Sequence, residues 1–129
     1  MAFTRFIDAA QHDHEIKVFG DGEQIRDFTF VSDIVNANLL AGARGGKGDI
    51  YNLSGGSHAT VNEVLRILEE LHGAPLKVQR IEQQAGDVRR TGGDSSRAKR
   101  DLGWVPAVSL SEGLAKQYTW QLTNRRIVS

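Results

Sequence analysis

The sequence predicts a small mixed α/β (α+β) fold in which helices cover short strands, and its 129 residues make one domain the expectation. Three observations carry this. Apolar residues recur at helical spacing in five segments. Four short β-rich runs lie between them. Glycine and proline punctuate nearly every junction. The strands are too few and too short for a doubly wound dinucleotide-binding sheet, so a Rossmann domain is expected to be absent.

Phe3, Phe6, Ile7 and Ala10 fall at helical spacing, which places an amphipathic helix at the N-terminal end. Ile16 to Phe19 reads as a strand and Gly20-Asp21-Gly22 as a turn. Ile25 to Phe30 alternates as a second strand, so the pair is expected to form a hairpin. Ser32 is the expected N-cap of a helix from Asp33 to Ala43, buried through Ile34, Val35, Ala37, Leu39 and Leu40. Gly42, Gly45, Gly46 and Gly48 end it. Ile50 to Ser54 reads as a strand running into Gly55-Gly56.

Thr60-Val61-Asn62-Glu63 has capping-box spacing and opens a helix to about His72, stopped by Gly73 and Pro75. Leu76 to Ile81 alternates as a strand. Gln83 to Gly93 is a polar loop without periodicity, a length that is often functional. Asp94 or Ser95 caps a short helix ending at Gly103. Trp104 then reads as a core anchor. Ser109-Leu110-Ser111-Glu112 opens the last helix, to about Asn124.

Composition bounds the function. Apolar residues are 40% and charged residues 25%, and sixteen basic residues balance sixteen acidic ones. A neutral chain gives no support to a nucleic-acid or membrane-surface partner. With no cysteine there is no disulfide, thiolate zinc site or thiol nucleophile, which fits a cytoplasmic protein. No apolar run approaches the roughly 18 residues of a membrane span, and the first ten residues do not read as a signal peptide.

Two constellations could hold an anion. In the first, a glycine turn is followed by Arg26, whose planar fork of donors suits phosphate oxygens. The plainer reading is a solvated arginine paired to Asp21 or Asp27. In the second, Gly86-Asp87-Val88-Arg89-Arg90 leads into Asp94, Arg97, Lys99 and Arg100. There Arg89 would face a diphosphate and Asp87 ribose hydroxyls, whereas Arg97, Lys99 and Arg100 read as the wet face of a helix. His12, Asp13 and His14 do not have metal-ligand spacing, and His58 and His72 read as surface residues. No nucleophile elbow, P-loop or paired-carboxylate site is present.

In order along the chain, Ile16 to Gly22, Arg26 to Val35, Ile50 to Gly56, Gly86 to Thr91, Asp94 to Ala98, Leu102 to Pro106 and Leu110 to Leu114 resemble a known family. It is the extended short-chain dehydrogenases/reductases, the NAD-dependent nucleotide-sugar epimerases and dehydratases. The likeness is to their C-terminal substrate-binding lobe, nearest to bacterial UDP-sugar 4-epimerases. The resemblance implies that Arg26 binds the substrate diphosphate, that Phe19 lies against the nucleobase, that Asp87 lies near the ribose and that Arg89 contacts phosphate. It places Gln84 where many 4-epimerases have a second diphosphate arginine.

Family members also carry a helix-opening Gly-x-x-Gly-x-x-Gly turn that cradles NAD, and a Tyr-x-x-x-Lys pair for the hydride chemistry. No helix-opening turn of this kind is read here. Tyr51 and Tyr118 have Gly55 and Leu122 four residues on, so the pair is missing. The resemblance therefore implies a substrate lobe that takes a UDP-sugar, carries no cofactor of its own and is not catalytic alone. A non-catalytic nucleotide-binding or homo-oligomerising module is the alternative. Phe3, Phe6 and Ile7 are the expected patch for a homodimer or for a separate Rossmann-domain chain.

Overall fold

The computed structural model describes residues 2–82 and 88–124. The elements are α1 (Ala2–Gln11), β1 (Ile16–Phe19), β2 (Ile25–Phe28), α2 (Val31–Arg44), β3 (Ser57–Thr60), α3 (Val61–His72), β4 (Val78–Ile81), α4 (Ser96–Leu102) and α5 (Leu110–Thr123). The succession of helices and strands is the one the sequence predicts, except that the third strand lies at Ser57–Thr60 rather than at Ile50 to Ser54. The chain divides into two compact units, each assembled from separated stretches. The first draws on Met1–Gln24, Thr60–Arg89 and Ser111–Ser129, the second on Ile25–Ala59 and Arg90–Leu110.

In the first unit β1 pairs in parallel with β4, with Ile16 opposite Val78 and Phe19 opposite Ile81. The expected hairpin does not form: β1 takes β4 as its partner and β2 takes β3. Parallel strands need a long crossover rather than a tight turn. Ile16 and Val18 turn inward from β1 and pack with Ala9 of α1 and Leu65 of α3, with Phe6, Val61 and Leu76 against them. Ile7, Val64 and Leu68 are fully buried.

α3 is capped as its sequence predicts. The Thr60 hydroxyl accepts from the Glu63 amide at 3.1 Å, and Glu63 accepts from the Thr60 amide at 2.7 Å. At its other end Gly73 adopts the left-handed conformation. α5 is tied to α1 by amide side chains. Gln11 donates to the Tyr118 carbonyl at 3.1 Å, and Gln121, itself buried, donates to the Thr4 carbonyl at 3.2 Å.

The N-terminal patch expected for self-association is not open. Ile7 is fully buried and Phe6 packs on the core, because α1 spends its apolar face within its own unit. His72 is half-buried rather than a plain surface residue, its Nδ1 lying 2.9 Å from the Tyr118 hydroxyl.

The second unit is built around Trp104, 1% exposed, with Ala37, Ala98 and Leu102, and with Leu40, Ala41, Tyr51 and Leu53 packed on them. The Trp104 indole N–H donates to the Asp33 carbonyl at 2.8 Å. The Asp33 carboxylate is buried and accepts from the Ala107 and Val108 amides, both at 3.1 Å. One residue of α2 thus holds both the indole and the segment after it.

α2 begins at Val31, with Phe30 at the N-cap and no side-chain cap, so Ser32 does not cap it. Its buried residues are Asp33 and Ala37, whereas Val35 and Leu39 are 52% and 70% exposed, against expectation. Ile50 to Ser54 is not a strand. β3 forms later, at Ser57–Thr60. Among the described residues no helix is long and apolar enough to cross a membrane.

Candidate functional site

In the first unit the turn after β1 is fixed by geometry. Gly22 is buried at φ +77°, and a Cβ there would lie 2.2 Å from Asn62 Oδ1. A side chain would meet both a backbone penalty and a collision. The turn carbonyls are held from two elements. Arg80 of β4 donates to the Asp21 carbonyl at 2.6 Å, and the Asn62 side chain of α3 donates to it at 3.0 Å. The Asn62 backbone amide donates to the Gly22 carbonyl at 3.1 Å. Arg80 also donates to Asn62 Oδ1 at 2.9 Å, so the two holders brace each other.

The Asp21 side chain accepts from Arg89 at 2.6 Å. The Arg89 hydrogen bond, with help from the Glu23 amide, lowers the Asp21 carboxyl below its ordinary value. The same bond raises the Arg89 guanidinium. Arg89 is therefore brought to an anionic oxygen, but to one of the protein's own. Phe19 ends β1 with 38% of its surface exposed, an aromatic ring available beside this turn. Asp87, expected at the ribose, and Gln84 lie outside the described residues.

Arg26 belongs to the second unit. It is half-buried on β2, and its guanidinium donates to the Ile25 carbonyl at 3.0 Å. β2 is flanked by Arg90 and Thr91: Arg90 bridges Ile25 in parallel, and the Thr91 amide donates to the Ile25 carbonyl at 3.1 Å. Alternation along a strand sets Arg90 on the Ile25 side, opposite Arg26.

Asp27 accepts from the Gly55 amide at 2.7 Å through one oxygen. Its other oxygen, Oδ1, and the Ser54 hydroxyl are buried without a hydrogen-bond partner among the described residues. Buried polar groups are ordinarily satisfied, so these two mark β2 and the Ser54–Gly56 segment as sites of unmet polar demand.

Arg97 is not simply a wet helix residue. It bonds Asp49 at 2.7 Å and the Ile50 carbonyl at 3.0 Å, and its guanidinium lies 5.1 Å from the Tyr51 ring centre. This clasp ties α4 to the segment after α2. The buried Asp33 was missed by sequence reasoning. Its signal was a single acid within the otherwise uncharged run Phe28 to Leu40.

A dinucleotide fits poorly on these residues. Gly42, Gly45 and Gly48 do carry Gly-x-x-Gly-x-x-Gly spacing, but they lie at the C-terminal end of α2, where Gly45 is the C-cap. A pyrophosphate needs the free amides of a helix N-terminus, whereas a C-terminus presents carbonyls. No group of three or more His, Cys, Asp or Glu residues suited to a metal ion is found among the described residues.

Residues 1–117 match the family described as GDP-mannose 4,6 dehydratase. The UDP-glucuronate 4-epimerase of Thermodesulfobacterium geofontis is 36% identical over 129 residues, covering 99% of this chain and 40% of that protein. The crystal structure of UDP-glucose 4-epimerase from Thermotoga maritima with UDP-glucose superposes with a TM-score of 0.89. It is 34% identical, and the match covers 98% of this chain and 40% of that one. The UDP-glucuronic acid 4-epimerase of Bacillus cereus, in complex with UDP-glucuronic acid and NAD, gives a TM-score of 0.88 at 30% identity. That match covers 95% of this chain and 40% of that one. The chain thus spans about two-fifths of the length of the relatives it matches. It belongs to the GDP-mannose 4,6-dehydratase family, among the extended short-chain dehydrogenase/reductase epimerases and dehydratases of nucleotide sugars.

Proposed function

We propose that this chain is the nucleotide-sugar-binding portion of an NAD-dependent UDP-sugar 4-epimerase or dehydratase. In this reading Arg26 and Arg89 hold the diphosphate, Phe19 lies against the base and Asp87 takes the ribose. One observation carries the reading: the likeness to UDP-sugar epimerases runs through 99% of the chain, and those relatives include proteins crystallised with UDP-sugars. A supporting observation is that Arg89 already grips a carboxylate oxygen at 2.6 Å, the kind of contact a phosphate oxygen would make.

The chain's own residues bind and orient in this reading; none performs the hydride step, because neither tyrosine has a lysine four residues on. NAD, supplied by the rest of such an enzyme, would carry that chemistry. Calorimetric titration of UDP into the 129-residue chain tests the proposal. Binding is expected to weaken about tenfold or more in Arg26→Ala, since a charge-assisted contact is lost. Equal UDP affinity in Arg26→Ala and the native chain would remove Arg26 from the site. Turnover of UDP-glucose by the isolated chain with added NAD would overturn its non-catalytic assignment.

A further inference from the structure

Asp21 is held more firmly than a surface acid needs to be. Its carbonyl accepts from both Arg80 and Asn62, and Gly22 beside it is closed against the Asn62 side chain. Its carboxylate is placed as well. Oδ1 accepts from the Glu23 amide at 3.0 Å, which leaves Oδ2 for Arg89. The exposed pairs Lys116–Glu112 and Arg97–Asp101 form between neighbours on one helix, where four-residue spacing brings them together. Asp21 and Arg89 lie 68 residues apart in sequence, so their pair is made by the fold. Glu23 is also close enough to favour the charged form of Arg89, but its carboxylate is taken by the Asn62 side chain. Asp21 is thus the acid that the turn aims at Arg89.

The grip is nevertheless light. A guanidinium can meet an oxyanion through two parallel N–H bonds. Here a single nitrogen, Nη2, makes the contact, and both side chains stay more than half exposed. Opening the pair returns two charges to water and buries neither of them, which costs little at a wet surface. A diphosphate offers more oxygens and more charge than one carboxylate, and can take both prongs of the fork.

We infer that the Asp21 carboxylate is a built-in stand-in for ligand phosphate, a latch that occupies Arg89 until a diphosphate displaces it. This rests on the reading above in which Arg89 serves the diphosphate, and it adds a regulation of that site. Every ligand that reaches Arg89 must first exchange itself for the protein's own anion. The brace from Arg80 and Asn62 keeps the carboxylate at hand, so the latch closes again when the ligand leaves.

Calorimetric titration of UDP into the 129-residue chain and its variants tests this. Asp21→Asn keeps the shape of the side chain and removes the competing charge. It should bind UDP about two- to fivefold more tightly, the range an exposed ion pair supplies. Arg89→Ala should bind more weakly than the native chain. In Arg89→Ala/Asp21→Asn the tightening should vanish, because a latch with nothing to close on has no effect. A second measurement needs no substitution at Asp21. The carbon-13 resonance of its carboxyl group should move when UDP is added to the native chain, and stay nearly in place in Arg89→Ala.

Unchanged UDP affinity in Asp21→Asn, with Arg89→Ala still weakened, overturns the latch and leaves Arg89 in the site. Equal tightening in the Arg89→Ala background overturns it too, since Asp21 would then repel the ligand without acting through Arg89. So does an Asp21 carboxyl resonance that UDP does not move in the native chain. Native affinity in Arg89→Ala, or no UDP binding by any of these proteins, strikes the diphosphate reading itself, and the latch falls with it.

Discussion

The two units solve the same problem with different materials. The first spreads its core over several apolar side chains from three elements, Phe6 and Ala9 on α1, Ile16 and Val18 on β1, Val61 and Leu65 on α3. The second concentrates its core on one ring, Trp104, seated among the small residues Ala37 and Ala98 and fastened by the backbone and carboxylate of one buried acid. The first keeps charge on its outer helix surface, and the second leaves Val35 and Leu39 of α2 in water. In a core shared among several side chains each truncation removes a smaller share of the packing, whereas in the second unit one ring carries most of it.

Substitutions can break that contrast or sharpen it. Trp104→Ala should have the largest effect. It removes the central ring and leaves the Asp33 carbonyl without its donor, a loss of roughly 3–5 kcal/mol by urea denaturation. A loss under half of that would mean that the second unit does not depend on its ring. Asp33→Ala should come next, at about 2–3 kcal/mol, because the Ala107 and Val108 amides would be left with no acceptor. Asp33→Asn keeps one acceptor oxygen and should recover part of that loss.

In the first unit Gly22→Ala should cost about 2 kcal/mol, from the left-handed backbone and the encounter with Asn62. A neutral outcome in thermal melts would show that the turn can open without disturbing α3. Thr60→Ala removes one half of the α3 capping box and should cost about 1 kcal/mol.

The smallest effect belongs to the exposed Asp21–Arg89 pair. The Asp21 pKa is lowered in the folded chain, so the pair adds stability above the carboxyl's ordinary value of 3.8 and loses it as the pH falls through the lowered one. Tm measured from pH 5 downward should converge for the native chain and Asp21→Asn at the acid end. If Arg89 serves phosphate, Asp21→Asn should also tighten UDP binding, because the competing carboxylate is gone. Unchanged affinity would mean that the pair does not compete with the ligand.

What the sequence revealed follows from the range of the forces involved. α3 was legible at both ends because its capping box and its left-handed Gly73 are local devices. Trp104 was legible as an anchor because a large ring after a helix stop has few other uses. The β1–β4 pairing was not legible: Gly20 and Gly22 permit a reversal but do not choose a partner, and β4 lies far downstream. Val35 and Leu39 misled because hydrophobicity alone does not say which side of a helix its own unit covers.

The candidate site was legible as residue types rather than as an arrangement. The Arg89 partnership with Asp21 joins a turn to a loop 68 residues away, a pairing that spacing does not encode. The clasp of Arg97 on Asp49 and the Tyr51 ring is likewise a tertiary contact inside what reads as a charged helix face.

The interleaving of the units in sequence has a consequence for the chain as it is made. The second unit's last stretch ends at Leu110, whereas the first requires α5, which runs to Thr123. A chain emerging from the ribosome can therefore close the Trp104 core first. α1, which is translated before α5, must wait for that helix before Gln11 and Thr4 find their partners. A stop codon after Leu110 would leave α1 without those bonds, so a nascent chain cut there should be the form most readily taken by proteases.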